Sequence, residues 1–315
     1  MSLERALELA ERGRGTTHPN PIVGAVVVRD GEVVGEGWHE RKGGPHAEVA
    51  ALEAAGERAR GATLYVTLEP CRSHGATPPC TAAVLASGVS KVVAGALDPN
   101  PEAGGGLEEL RRAGVGVELA EGPVAWAARR QNEAWRTWIA KGRPFVTYKA
   151  AVSLDGRVTV PGERWVSGEE SRRRVHQLRA ASDVVAVGMG TVRTDDPRLD
   201  ARDVEAERQP RRLAFGSGPL PAGSELELLS GSLEDELAQL AEEGVQSLLL
   251  EGGPTLATAF LRAGLVDKLL LFMTPRLSGS GPHFLGELEA PVALQALASE
   301  LIGEDLLVSA YINEP

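Results

Sequence analysis

The sequence predicts an α/β protein in two halves, and three observations carry that prediction. Apolar runs of strand type alternate with Ala-rich helical stretches along the 315-residue chain, the pattern of layered α/β domains. That length suits about two domains of ordinary size. Gly142-Arg143-Pro144 then breaks a helical stretch near the middle of the chain, since glycine and proline both end helices. The expected domains are therefore 1–143 and 144–315.

In the first half, Ser2 is placed to cap a helix with Leu3, Ala6, Leu7 and Ala10 on one face, closed near Gly13. IVGAVVV and EVVGEGW flank Asp30-Gly31, a strong hairpin signal. HAEVAALEAAG predicts a helix ended by Gly56. ATLYVTL is a strand that runs into the loop LEPCRSHGATPPCT, and CTAAVLASG is a short helix from Cys80 to Gly88. KVVAGAL, a helix near 105–113 and VGVEL continue the alternation, which implies a mixed sheet. PVAWAARRQNEAWRTWIAKG follows as one long helix, with Trp126, Trp135 and Trp138 packing in a core or interface.

The second half opens on the strand FVTYKAAVSLDG. Ser167 to Glu170 has capping-box spacing for a helix through SRRRVHQLRA. DVVAVGM, RRLAFG, SLLLEGGP, DKLLLFM and LLVSAYI are further strands, with helices near 232–243 and 254–263. The polar, Pro- and Gly-rich stretch 203–230 yields no further prediction.

Composition narrows the function classes. Lys and Arg number 33 against 44 Asp and Glu, a net charge of −11. That balance argues against a broad phosphate-backbone surface, and so against a nucleic-acid editor. MSLERALELAERGRGTTHPNP carries charges throughout and lacks the apolar stretch of a secretory signal. No apolar run approaches a membrane span. A cytoplasmic protein without membrane or nucleic-acid partners is expected.

Cys71 and Cys80 are the two cysteines of the chain, and they share one loop. A small disulfide, a pair of buried bystanders and a pair of metal ligands all fit that fact. A reducing compartment disfavours the disulfide. Upstream, His46-Ala47-Glu48 follows Pro45 at a helix start, and each cysteine follows a proline. One imidazole and two thiolates make a three-ligand zinc site with an open position for water. Glu48 is then the group that takes the proton of that water and hands it to the substrate. This is the H-x-E…P-C…C pattern of zinc deaminases, with a longer spacing between the cysteines than the usual C-x-x-C.

These stretches together resemble the bifunctional pyrimidine deaminase–reductases of riboflavin biosynthesis. THPNPIVGAVVV, GEGWHERKGGPHAEVAAL, GATLYVTLEPC…HGATPPCT and DPNP follow that family's deaminase half in order. YKAAVSLDGRV, TVRTDDPRL and EGGPTLATAFLRAGLVDKLLLFMTPRLSG follow its reductase half. The resemblance implies a cytidine-deaminase-like three-layer α/β/α domain and a dihydrofolate-reductase-like α/β domain. It implies Zn2+ on His46, Cys71 and Cys80, and Glu48 as proton shuttle. It places Asn20 and His39 at the pyrimidine. The substrate would be a diamino-pyrimidinone carrying ribose 5-phosphate, deaminated at C2 and then reduced to a ribityl chain. A homo-oligomer, dimer or tetramer, is the family's habit. One departure falls in the loop: the family's Cys-Ser-His-His-Gly is Cys71-Arg72-Ser73-His74-Gly75 here, so Ser73 replaces the first histidine of the pair.

The second half lacks the ordinary dinucleotide fingerprint. Gly188-Met189-Gly190 follows a strand, but position 193 is Arg, where a third glycine would stand. Gly252-Gly253-Pro254 instead leads a strand into a helix start, where free N–H groups suit phosphate. By resemblance, Ala151, Trp165, Thr191, Asp195, Ser217, Gly252 and Gly253 contact NADPH. Glu163, Arg179, Leu199, Arg202 and Glu251 fall at substrate positions, with Arg179 and Arg202 suited to grip the ribose phosphate. Lys149 and Asp195 are candidates for the polarising or proton-relaying group.

Overall fold

The computed structural model describes residues 2–74, 78–206 and 208–315. The chain divides into two compact units, Met1–Lys141 with Pro315, and Gly142–Glu314.

The first unit runs α1 (Ser2–Ala10), β1 (Gly24–Arg29), β2 (Glu32–Trp38), α2 (Ala47–Ala55), β3 (Thr63–Val66), α3 (Cys80–Ser87), β4 (Lys91–Ala94), α4 (Gly106–Arg112), β5 (Gly116–Leu119), α5 (Gly122–Gln131) and α6 (Glu133–Lys141). Its sheet has the order β2-β1-β3-β4-β5. β1 lies antiparallel to β2 and β3, while β3, β4 and β5 are parallel. The hairpin turns through Asp30 and Gly31 at φ 52° and 84°, the left-handed pair such a turn demands. Successive β1 residues face opposite layers. Ala25 and Val27 pack with Ala51, Val84 and Leu110, whereas Val26 packs with Leu3, Ala6 and Leu9. The result is a three-layer α/β/α unit.

Two glycines bring α2 down onto β2. A Cβ on Gly35 would stand 2.2 Å from the Ala51 carbonyl oxygen, and one on Gly37 would stand 2.4 Å from the Ala51 nitrogen. Any side chain there would lift the helix whose start carries His46 and Glu48.

The long Trp-bearing helix of the sequence is two helices in the structure. It breaks at Asn132, whose Oδ1 accepts from the Ile22 N–H at 3.0 Å and whose Nδ2 donates to the Ile22 carbonyl at 2.9 Å. That buried side chain holds the backbone of a segment 110 positions away. Trp135 is buried beside Leu68, Ala96 and Ala128, as the packing reading expects.

The second unit runs β6 (Phe145–Ser153), α7 (Glu169–Ala181), β7 (Val184–Gly188), α8 (Met189–Asp195), β8 (Arg211–Phe215), β9 (Glu227–Leu229), α9 (Leu233–Glu242), β10 (Ser247–Leu250), α10 (Pro254–Arg262), β11 (Lys268–Thr274), β12 (Gln295–Ile302) and β13 (Asp305–Tyr311). Its sheet order is β12-β13-β11-β6-β10-β7-β8-β9. The strands from β11 to β9 in that order are parallel, and β13 and β12 add antiparallel at one edge. Tyr148, Leu248, Leu250 and Phe260 are among the fully buried side chains of its core. The expected capping box is not formed. Gly168 precedes α7 without a side-chain cap. The Asp305 carboxylate accepts instead from the Gly168 N–H at 2.7 Å and the Ser171 hydroxyl at 2.6 Å.

Candidate active sites

Three elements of the first unit aim at one point. His46 is the N-cap of α2, Cys80 is the first residue of α3, and Cys71 lies in the segment after β3. His46 Nδ1 stands 3.1 Å from Cys80 Sγ and 3.6 Å from Cys71 Sγ. The Cys80 N–H points at Cys71 Sγ from 3.4 Å. One donor atom from each of the three residues lies within 4.8 Å of the others. Both cysteines are free thiols. An imidazole and two sulfurs so placed fit zinc, which favours such nitrogen and thiolate donors, and three ligands leave a fourth position open.

The two sulfurs differ electrostatically: the hydrogen bond to Cys71, burial and the Glu48 charge push the Cys80 thiol up, whereas Cys71 is held down. The Cys80 thiol, the His46 ring and the Cys80 N–H all hydrogen-bond to the Cys71 sulfur and outweigh its burial, holding it down to about 4. Cys71 thus takes the thiolate form a metal needs. Glu48, in the first turn of α2, is 3 % exposed. Its burial pushes its carboxyl up to about 7, so it both takes and gives a proton near neutrality.

His39 and Asn20 stand beside this group. His39 is buried, and its ring lies edge-on to that of His46 at 5.3 Å. His39 Nδ1 donates to the Pro45 carbonyl at 3.0 Å, which leaves Nε2 as the acceptor facing Asn20 Nδ2 at 3.5 Å. Burial keeps His39 below the usual histidine range and hence neutral. In the loop that departs from the family pattern, the Arg72 N–H donates to the Ala103 carbonyl at 3.1 Å. Gly75 of that pattern lies outside the described residues.

Two acidic residues at this end of the sheet were not singled out from the sequence. Asp98 is pushed up to about 6 by burial, with the nearby Glu69 and Cys71 charges adding to the effect. Glu69 is itself buried. Asp98 belongs to the Asp-Pro-Asn-Pro stretch, whose turn-forming composition hid any other role.

In the second unit, the residues expected at NADPH gather at the C-terminal ends of parallel strands, where open α/β sheets hold ligands. Ala151 is near the end of strand β6, Thr191 and Asp195 are on α8 after β7, Ser217 follows β8, and Gly252-Gly253 join β10 to α10. A Cβ on Gly253 would lie 3.5 Å from Thr191 Oγ1, so the β10–α10 connection comes close to α8. Trp165 is 50 % exposed, with the Arg164 and Arg172 guanidinium groups 5.2 and 5.6 Å from its ring centre.

The expected substrate residues divide. Glu251 is the centre of a buried ion triad. Arg179 Nε and Nη2 reach its two oxygens at 2.6 and 3.1 Å, and Lys149 Nζ lies 3.3 Å from Oε2. Burial would raise the Glu251 carboxyl, but Lys149 and Arg179 together override it and hold it at about 2. Arg179 is thus held in place by the Glu251 carboxylate and by the Asp200 carbonyl, to which its Nη1 donates at 3.1 Å. Arg202 pairs with Asp200, and Glu163 with Arg276 at 3.1 Å. The Leu199 side chain is 2 % exposed and packs with Val185, Val187 and Met189. Its φ is 53°, and any ligand contact it makes runs through its backbone.

Comparison with known proteins matches each unit to a family. Residues 2–96 match the cytidine and deoxycytidylate deaminase zinc-binding region, and residues 144–308 match the RibD C-terminal domain. The riboflavin biosynthesis protein RibD of Aquifex aeolicus is 40 % identical over 97 % of this chain and 96 % of its own. That of Escherichia coli is 41 % identical over 88 % of each. Among solved structures, RibD of Acinetobacter baumannii superposes with a TM-score of 0.84 at 34 % identity, covering 98 % of this chain and 97 % of that one. The diaminohydroxyphosphoribosylaminopyrimidine deaminase/5-amino-6-(5-phosphoribosylamino)uracil reductase of Thermotoga maritima gives 0.82 at 34 % identity with the same coverage. A zinc-binding deaminase unit joined to a reductase unit defines a two-headed deaminase–reductase. The chain belongs to the RibD family of riboflavin biosynthesis proteins. Among the described residues, no helix is long and apolar enough to cross a membrane.

Proposed function

We propose that the chain performs two successive steps on one phosphorylated pyrimidine in the cytoplasm. Residues 1–143 hydrolyse the C2 amino group of 2,5-diamino-6-(5-phosphoribosylamino)pyrimidin-4-one. Residues 144–315 then use NADPH to reduce the ribosyl to a ribityl chain, giving 5-amino-6-(5-phosphoribitylamino)uracil. The observation that carries this reading is the convergence of His46, Cys71 and Cys80 beside the buried Glu48.

His46, Cys71 and Cys80 are the residues that hold zinc. Zinc in a three-ligand site supplies Lewis acidity that brings the ionisation of water to about pH 7. Glu48 accepts the proton of the attacking water and passes it to the ring nitrogen beside C2. It then takes the proton of the new C2 hydroxyl and gives it to the amino group, so that the C2–N bond breaks, the C2 carbonyl forms and ammonia leaves. Neutral His39, steered by Pro45, and Asn20 orient the pyrimidine through hydrogen bonds.

In the second unit, Ala151, Thr191, Asp195, Ser217, Gly252 and Gly253, with Trp165, hold the dinucleotide. The free N–H groups at the start of α10 suit its phosphates. NADPH supplies the hydride, and the protein supplies orientation and charge. Lys149 polarises the reacting sugar carbon's neighbour and is itself held by Glu251. Glu163, Arg179, Arg202 and the Leu199 backbone frame the substrate.

A homo-oligomer belongs to the same proposal. Edge strand β12 is exposed along nearly its whole length, with Leu297 at 70 % and Leu301 at 77 %. An apolar unpaired edge of that length favours a second copy.

Incubating the zinc-loaded protein with the diamino substrate tests the reading. Without NADPH, the product has exchanged one amino group for oxygen with release of ammonia. With NADPH, it has gained two further hydrogens. Unchanged substrate in both arms refutes the proposal.

A further inference from the structure

We infer that Glu69 is a positioning residue for the deaminase centre: its carboxylate fastens the 98–107 backbone to the segment presenting Cys71, and so sets where that sulfur stands. The inference rests on the reading of Cys71 as a zinc ligand.

Glu69 is 5 % exposed. Its Oε2 accepts from the Asp98 N–H at 3.1 Å, and its Oε1 accepts from Gly105 and Leu107 N–H at 3.2 and 3.0 Å. Among the described residues these N–H groups are the partners of its side chain, and no ammonium or guanidinium pairs with it. A buried carboxylate is costly unless hydrogen bonds replace its water. Here every replacement donor comes from one segment, so the charge ties that segment down.

The neighbouring residues are stitched to the same segment. The Glu69 N–H donates to the Ala96 carbonyl at 2.9 Å and the Arg72 N–H to the Ala103 carbonyl at 3.1 Å. A Cβ on Gly106 would stand 1.8 Å from the Pro70 carbonyl oxygen. Residues 69, 70 and 72 are thus pressed against 96–106. Cys71, between them, gives its carbonyl to the Thr81 N–H at 3.2 Å and turns its sulfur to His46. Ligand placement is sensitive at the ångström scale, and such supporting contacts govern it.

Glutamate is specific for this task because both of its oxygens accept. Glutamine has nearly the same shape but aims an NH2 at one of the donors. The test therefore compares wild type with Glu69→Gln, and with Glu108→Gln as a control on the exposed side of α4. Zinc release to a chromogenic chelator, deaminase kcat and KM, and reductase turnover on supplied deaminated intermediate are measured on each preparation. Glu69→Gln is expected to release zinc at least about tenfold faster. Its deaminase kcat falls about tenfold or more, with KM within about twofold and reductase turnover unchanged. Glu108→Gln behaves as wild type. Zinc release and kcat at wild-type levels in Glu69→Gln overturn the inference. Should Glu69→Gln fail to fold, amide exchange in the wild type decides. Asp98, Gly105 and Leu107 amides should exchange at least about a hundredfold slower than free peptide, and exchange at free-peptide rates overturns it. A wild type that binds no zinc overturns the underlying reading and this inference with it, whereas a zinc-replete wild type with an unaltered Glu69→Gln overturns this inference alone.

Discussion

His46 Nδ1 stands 3.1 Å from Cys80 Sγ although 34 positions separate the two residues in the chain. The approach is made by the starts of α2 and α3, packed side by side against one face of the sheet. The hydrogen bond to Cys71, burial and the Glu48 charge push the Cys80 thiol up while Cys71 is held down, so the pair presents one thiol and one thiolate and metal binding releases the Cys80 proton.

Replacing either sulfur should abolish one activity and leave the other. Cys71→Ser or Cys80→Ser is expected to lose zinc, with deamination falling to background, while NADPH oxidation on supplied deaminated intermediate continues at the wild-type rate. Metal analysis and the two assays on one preparation check this. Loss of both activities in a folded, soluble protein would show that the halves do not work separately.

Glu48→Gln separates proton transfer from metal binding. Zinc content should stay at the wild-type level, because the amide leaves the three ligands in place. The deaminase kcat should fall by about 10²–10⁴, the usual contribution of a positioned acid–base group. Metal loss in this variant would make Glu48 a ligand instead.

The Glu251 triad predicts a pH dependence of stability in the second unit. The folded carboxyl sits at about 2 against an ordinary value of 4.5. The folded state therefore binds fewer protons than the unfolded state between those values. The stabilisation is fully present above pH 4.5 and fades as pH falls through about 2. Glu251→Gln should flatten that slope in denaturant titrations followed from pH 6 to pH 2. It should also cost about 3–5 kcal/mol at pH 7, because it leaves Lys149 and Arg179 buried around a neutral amide. An unchanged slope would remove the triad's electrostatic role.

The exposed edge predicts an assembly. Light scattering on Leu297→Glu/Leu301→Glu should report a monomer where the unaltered chain reports a dimer or larger. A charge placed on each exposed leucine blunts edge pairing without entering the core. A monomeric unaltered chain would dispose of the oligomer.

Local signals made much of this molecule legible from its sequence. The Asp30-Gly31 hairpin, the α2 start at Pro45-His46 and the left-handed Gly88 that stops α3 each depend on residues a few positions apart. The zinc set was legible because imidazole and thiol are rare and their spacing is informative. What escaped depends on distant partners. The break at Asn132 answers to Ile22, and the start of α7 is capped by Asp305. Glu69 finds its donors 29 to 38 positions away, and they are backbone N–H groups that leave no mark on the sequence. Strand β12 gave no alternation to read, because it is exposed at nearly every position.

X-ray absorption at the zinc edge of the purified protein tests the central claim most directly. Two sulfurs at about 2.3 Å and one imidazole nitrogen at about 2.0 Å, with one further light atom, are expected. A spectrum without sulfur in the first coordination sphere, or a protein without zinc, would contradict it.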